Sequence, residues 1–324
     1  MPNARKKIVF VAFGGAQVLD ITGPFQVFAA ANEELETPAY DLTLANIDTD
    51  DVSTSAGLIL KAESLSHIDP TTVHTVIAVG GHAPNVQAAM KNAAGMEWLQ
   101  AAARHAERIG SVCTGTFLLA AAGIIDGKRV ATHWQAAGAL QKHYPSLNVD
   151  CESLYVEDGN VWTSAGVTAG IDMALALVER DLGRPLAMNI ARRLVIYARR
   201  PGNQSQFSTL LESQTKATGP LAKSLDWMAK NIREPVGVAD AADAAGMSER
   251  SFHRKFFAET GDTPARYMEK LRLEAARTLL ESPDLPLKTV AAESGFGTPI
   301  RLIQAFERRF GLSPTAYRKL HGMA

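Results

Sequence analysis

In its last hundred residues the chain repeats itself at an interval of 50. Phe256, Gly261, Pro264 and Tyr267 recur as Phe306, Gly311, Pro314 and Tyr317, and Ser248 and Thr298 share the offset. Short-period solenoids need three or more copies, so two copies predict a pair of similar subdomains. Each copy reads as helix, tight turn, helix. In the first, an Ala-rich helix over 238–245 closes at Gly246, and Ser248 caps a helix through Ala258 that stops by Gly261. In the second, Leu287 to Glu293 leads into Gly295-Phe296-Gly297, then Thr298 with Pro299 in the first helical turn, and the helix ends before Gly311. Ser and Thr are N-cap residues, and Pro is tolerated at the first helical position because its missing N–H would be unpaired there anyway. The pattern is helix-turn-helix, whose second helix can enter a major groove. Phe252, Phe256, Leu302 and Phe306 fall on the inner helix face and are expected to be core.

The first two hundred residues follow another rule. Lys7 to Phe13, His74 to Val79 and Arg108 to Val112 are apolar, β-branched runs ending at Gly14-Gly15, Gly80-Gly81 and Cys113. Such runs suit strands buried on both faces. Helical stretches intervene at Pro24 to Asn32, Gly95 to Glu107 and Thr116 to Ala122. This alternation predicts an α/β fold with a doubly wound, mainly parallel sheet, and ligands in such sheets sit beyond the carboxyl ends of the strands. In Ser111-Val112-Cys113-Thr114-Gly115 a strand runs straight into a helix with a thiol at the turn, the layout of a nucleophile elbow. A thiol at a helix N-terminus is expected to favour thiolate. Cys151, in a stretch from Val149 to Val156 that alternates like a strand, reads as structural.

Length and charge are consistent with this division. At 324 residues the chain has room for two domains. Its net charge of −1 hides a C-terminal part, from Gln206, at +3 and a remainder at −4, which permits nucleic-acid binding at one end. The apolar run from Phe117 to Ile125 is too short for a bilayer span of about 20 residues, and no signal peptide is expected. Two cysteines, 113 and 151, give neither a disulfide framework nor metal-ligand spacing, so neither metal nor cofactor is expected and the location is read as cytoplasmic. The polar, Pro/Gly-broken segment around Arg199 to Phe207 reads as a boundary, giving domains 1–198 and 219–324 with a linker at 199–218.

Five blocks carry a family resemblance in the first part. They are Val18-Leu19-Asp20-Ile21-Thr22-Gly23-Pro24, the Val79-Gly80-Gly81 turn, the Cys113 elbow, Ala131-Thr132-His133-Trp134, and Thr163-Ser164-Ala165-Gly166. Together they resemble the ThiJ/PfpI branch of the class I glutamine amidotransferase-like superfamily over about residues 5–195. That implies a flavodoxin-like fold. The Asp20 and Cys113-Thr114 pattern is similar to isocyanide hydratase. The resemblance implies Cys113 as nucleophile, Asp20 as the acid that hydrogen-bonds the thiol, the amides of Gly81 and Thr114 as an oxyanion hole, and His133 beside the pocket; His82, just after the Gly pair, reads either as a pocket group or as a solvent-exposed loop histidine. PfpI-type hydrolases have a histidine immediately after the cysteine, where this chain has Thr114, so a Cys-His hydrolase pair is not evident.

Residues 221–318 resemble the AraC/XylS DNA-binding domain, most diagnostically in Gly295-Phe296 and the block from Phe306 to Arg318. The resemblance implies an all-α double helix-turn-helix domain that reads successive major grooves. The base-facing positions would be Arg250, His253 and Arg254 in the first copy and Pro299, Ile300, Arg301 and Gln304 in the second. Arg254 and Arg301 suit guanine, Gln304 suits adenine, and Pro299 and Ile300 offer only apolar contact. Arg308, Arg309, Arg318 and Lys319 read as solvated or phosphate-facing. The whole architecture resembles AraC-type regulators with an amidotransferase-like sensor. It implies a transcriptional activator, homodimeric through its N-terminal domain, with promoter DNA, RNA polymerase and a small-molecule effector such as an amino acid or quaternary amine as partners. Two rival readings are weighed against it: a cysteine-dependent hydratase or hydrolase carrying a DNA-binding domain, and a redox switch at Cys113.

Overall fold

The computed structural model describes residues 5–48, 51–151, 153–196, 202, 219–280, 282 and 284–321. The chain divides into two compact units, residues 1–206 and 207–324. The expected linker, 199–218, lies outside the described residues except for Gly202, whose carbonyl accepts from the Tyr155 amide.

In the first unit β1 (Lys6–Ala12) turns through Gly14-Gly15 into α1 (Val18–Glu33), and β2 (Tyr40–Asn46) returns parallel to β1. A hairpin, β3 (Asp51–Ser53) with β4 (Ile59–Lys61), precedes the short edge strand β5 (Glu63–Ser64). Next come β6 (Thr75–Ala78), α2 (Ala83–Met90), α3 (Ala93–His105), β7 (Arg108–Val112) and α4 (Thr116–Ala121). The unit closes with β8 (Arg129–Ala131), α5 (Trp134–His143), β9 (Asn148–Asp150), β10 (Tyr155–Asp158), β11 (Val161–Ser164), α6 (Ala169–Leu182) and α7 (Arg184–Arg193). The main sheet has the order β10-β11-β7-β6-β1-β2-β5, parallel except for β10. Strands β1, β6 and β7 are buried along nearly their whole length, which is why they read as continuous apolar runs. The fold is the flavodoxin-like α/β architecture expected from the sequence.

A buried polar cluster pins the start of this sheet. Asp181 of α6 accepts both oxygens' worth of bonds from Arg108 Nη2 at 2.9 and 2.8 Å, a bond from the Tyr40 hydroxyl at 3.0 Å, and an ion pair from Lys6. Burial would raise the carboxyl's pKa, but Lys6 and Arg108 outweigh it and hold the group ionised below the usual range. The cluster joins the first residues of β1, β2 and β7 at the end of the sheet opposite the Cys113 turn.

Two local expectations are corrected. Helix α1 begins at Val18, not at Pro24; Pro24 sits buried inside it, lacking only the amide that would bond the Asp20 carbonyl. The stretch from Val149 to Val156 is not one strand. Asp150 accepts from the Ser153 amide at 2.9 Å and hydroxyl at 2.7 Å, a side-chain turn that ends β9 and leaves Cys151 exposed before β10 begins.

The second unit is helical: α8 (Pro220–Asn231), α9 (Val238–Ala244), α10 (Glu249–Thr260), α11 (Pro264–Leu280), α12 (Leu287–Glu293), α13 (Pro299–Phe310) and α14 (Pro314–His321). Gly261 and Gly311 end α10 and α13 with φ of +74° and +71°, the left-handed cap that glycine adopts without cost. The 50-residue repeat is a packing repeat. Phe256 meets Tyr267 edge to face at 5.4 Å, and Phe306 meets Tyr317 in the same way at 5.1 Å. Each pair centres its own apolar core, and α11 serves both, giving Tyr267, Met268 and Leu271 to the first and Leu273, Ala276 and Leu280 to the second.

Candidate functional site

The carboxyl ends of β1, β6 and β7 converge on Cys113. The turn there is strained: Cys113 has a φ of +58°, rare for a residue with a side chain. Its neighbours make room. A Cβ on Gly80 would lie 2.7 Å from Cys113 Cβ, and one on Gly166 would lie 2.2 Å from it. The carbonyl of Cys113 accepts from the Thr132 hydroxyl at 2.9 Å, holding the turn from the β8 side.

Asp20 comes from the first turn of α1 and is 0% exposed. The Val167 amide donates to its Oδ1 at 2.7 Å, while Oδ2 is buried without an aligned hydrogen bond. Burial pushes its pKa up to about 6, against the opposing pull of the Val167 amide, the Cys113 thiol and the Gly80 amide. Burial also pushes the Cys113 thiol up to about 12, reinforced by the negative charge of Asp20, with the Thr114 amide and hydroxyl opposing. The expectation of a thiolate is therefore overturned. A short helix start gives a fraction of a charge, whereas desolvation penalises the whole anion. Its burial to 7% exposure and its raised pKa both work against oxidation of Cys113, because the accessible thiolate is the oxidisable form.

Over the thiol lies a cavity of about 660 Å³. Of the residues singled out from the sequence, Gly81, His82, Cys113, Thr114 and His133 line it; Asp20 does not, because it sits beneath the surface beside the thiol. His82 is exposed at the start of α2, and His133, half-buried, has its pKa lowered by burial and so is neutral at pH 7. The Gly81 amide is not free to serve an oxyanion. It donates to Thr114 Oγ1 at 2.9 Å, and that hydroxyl donates back to the Gly81 carbonyl at 2.8 Å. Thr114 thus ties the two loops together. Sequence reasoning missed Gln17, Phe117, His143 and Tyr144 on the wall. A signal existed for two of them: Phe117 lies one helical turn beyond Cys113, and Ala136, Ala139 and His143 share a face of α5 at three- and four-residue spacing. No Asp, Glu, Lys or Arg is among the lining residues. No histidine hydrogen-bonds Cys113 among the described residues, and no His/Cys/Asp/Glu group there is placed to hold a metal ion.

The second unit carries a different surface. Ser248 accepts from the Ser251 amide and Thr298 from the Arg301 amide, so both second helices start at their expected caps. Phe252 and Phe256, and Leu302 and Phe306, are buried; Arg250, His253, Arg254, Arg301 and Gln304 are exposed on the outer faces. Ile300 is 67% exposed, a large apolar side chain held in water at the start of α13, and Pro299 is half-buried beside it. Arg308 is not a free charge. Its Nη2 donates to both carboxylate oxygens of Glu269 at 2.9 Å. Arg318 is half-buried rather than solvated, and Arg309 and Lys319 are exposed.

An α/β domain with a strained cysteine elbow, followed by twin helix-turn-helix units sharing one long helix, defines the class. The DJ-1/PfpI family matches residues 6–180 and a helix-turn-helix domain family matches residues 241–320. The chain belongs to the DJ-1/PfpI family and carries an AraC-type helix-turn-helix domain. It is 29% identical over 315 residues to the HTH-type transcriptional regulator GbdR of Pseudomonas aeruginosa, covering 97% of this chain and 84% of that one. The HTH-type transcriptional regulator CdhR of the same species is 32% identical over 223 residues, 69% of this chain and 66% of its relative. Isonitrile hydratase of Pseudomonas putida is 35% identical over 189 residues, 58% of this chain and 77% of the enzyme. Among solved structures, a ThiJ/PfpI family protein from Pseudomonas syringae superposes with a TM-score of 0.55 at 22% identity, over 75% of this chain and 91% of its own. No helix among the described residues is long and apolar enough to cross a membrane.

Proposed function

We propose that the protein is a sequence-specific DNA-binding transcriptional regulator, an activator whose α/β domain binds a small metabolite above Cys113. The observation that carries this is the division of α10 and α13 into two faces. The aromatic and leucine side chains fill the cores, while Arg250, His253, Arg254, Arg301 and Gln304 project outward from capped helices. Arg and Gln are the side chains that pair bidentately with guanine and adenine edges. Regulators with the same pair of domains align along nearly the whole chain.

The sensor reading draws on the cavity. A wall of imidazoles, glutamine amides, Tyr144 and Phe117 without fixed charge suits a small zwitterion such as an amino acid or a quaternary amine. Phe117 and Tyr144 offer aromatic faces to a cation, and the histidines and glutamines offer donors to a carboxylate. The effector must favour the state that binds promoter DNA or recruits RNA polymerase, since equal affinity for both states shifts nothing. The protein acts as a homodimer through its α/β domain, in the cytoplasm, where the promoter lies. Selection of bound sequences from a random DNA pool at fixed salt tests the reading. Two blocks about one helical turn apart are expected; sequence-blind, salt-sensitive binding alone would overturn it.

A second reading rests on the burial of Asp20 and Cys113 together and on the partial likeness to isonitrile hydratase. In that reading the first unit is a cysteine-dependent hydratase. Cys113→Ala separates the two: a sensor keeps effector-dependent activation with altered affinity, whereas an enzyme loses turnover and signalling together.

A further inference from the structure

The two helix-turn-helix units are joined by more than α11. Their apolar cores are separate clusters, so apolar packing within each core does not by itself fix one unit against the other. A polar tie crosses between them. The segment after α8 belongs to the first unit, yet the Ile232 carbonyl reaches the turn of the second. Gly295, at φ +80°, lies so close that a Cβ there would stand 1.7 Å from the Ile232 oxygen and 2.9 Å from Arg272 Nε. Any other residue would push the two units apart.

Arg272, midway along α11, completes the tie. Its Nε donates to the Ile232 carbonyl at 3.3 Å and its Nη2 to the Val236 carbonyl at 3.0 Å. Carbonyls at a helix end and in the loop beyond have no partner within a helical ladder, so a fixed guanidinium fork satisfies two of them at once. The same side chain lines a polar cavity of about 280 Å³ with Arg301, Gln304 and Arg308, side chains of the second recognition helix. It therefore touches the frame of the first unit and borders the base-facing side of the second unit's recognition helix. Arg233 adds an exposed ion pair to Glu293 at 3.4 Å across the same seam, which contributes little in water.

We propose that Arg272, seated on Ile232 and Val236 against the Gly295 turn, is a positioning residue that fixes the separation and rotation of the two recognition helices. In doing so it sets the spacing between the two DNA blocks the chain accepts. The inference rests on the DNA-binding reading above. One added base pair moves the second block by roughly 3.4 Å and roughly 35° around the duplex, so only a stiff pair of units can distinguish neighbouring spacings.

The test uses the full-length chain and duplexes built from its selected two-block motif, with the spacer native, lengthened by one base pair or shortened by one. The native chain is expected to lose about tenfold or more in affinity at either altered spacing. Arg272→Met, which keeps the apolar stem and removes the donors, is expected to lose less than about threefold while binding a single-block duplex like the native chain. Gly295→Ala should broaden the preference in the same way, and Arg272→Lys, which keeps one donor, should restore it in part. If Arg272→Met does not fold, Arg272→Lys alone carries the comparison. A variant with the native spacing preference overturns the positioning role, as does a native chain indifferent to spacing. A native chain that selects no two-block motif removes the DNA-binding reading itself, a different result from either.

Discussion

The Val167 amide donates to Asp20 Oδ1 at 2.7 Å, joining the first helix of the chain to a loop 147 residues later and closing over Cys113. Val167 itself has a φ of +51° and follows Gly166 at +93°. This loop conformation brings a carboxylate and a thiol into one water-poor space. Both groups then resist ionisation, and the chemistry of the site follows from that.

Removing the charge of Asp20 should make the thiol more acidic. Burial is the larger cause of the Cys113 shift and Asp20 the next, so Asp20→Asn lowers the titration midpoint from about 12 without returning it to that of an exposed cysteine. The pH dependence of thiolate absorbance or of alkylation rate measures this. An unchanged midpoint would mean that the two groups do not feel each other.

Stability should depend on pH through Asp20. Its folded pKa is raised to about 6, so the folded chain holds the proton more tightly than the unfolded chain. The carboxyl therefore costs stability above pH 6, on the order of 3 kcal/mol, and the cost fades as pH falls toward the ordinary aspartate value near ~4. Asp20→Asn, which keeps an acceptor for Val167, is expected to be more stable than the native domain at pH 7.5, with the gain gone near pH 4. Thermal melting at the two pH values shows whether the sign is right.

Arg301 and Arg308 lie two turns apart on α13 and should behave differently. Arg301 is exposed on the outer face, and Arg301→Ala is expected to cost about 1–3 kcal/mol of specific DNA affinity and to relax the preference at one base position. Arg308 is already engaged by Glu269, so Arg308→Ala should weaken binding less and evenly across sequences. Repeating the DNA selection with each variant separates the two; identical logos for both would contradict the assignment.

The paired aromatics should have equivalent roles in their two cores. Phe256 and Phe306 are fully buried against Tyr267 and Tyr317. Truncating either to Ala is expected to cost about 3–5 kcal/mol, with hydrogen-exchange protection lost first in the unit that carries the change. Uniform loss across both units would show that the cores are not separate.

Much of this was legible in the chain itself. Ser248 and Thr298 announced helix starts, Gly261 and Gly311 helix ends, and the offset of 50 announced the twin units, because capping and left-handed turns are decided by a few adjacent residues. The buried runs of β1, β6 and β7 and the Cys113 elbow were readable for the same reason. Tertiary structure alone decided the state of the site. From its own sequence neighbourhood Cys113 looked like a thiolate; Asp20, 93 positions away, and the covering loops at Gly80 and Gly166 hold it as a thiol. The Gly81 amide is taken up by Thr114, Arg308 by Glu269, and Arg272 by Ile232 and Val236. Backbone preference is local and survives in the sequence, whereas desolvation and charge pairing depend on which distant segments the fold brings within a few ångströms.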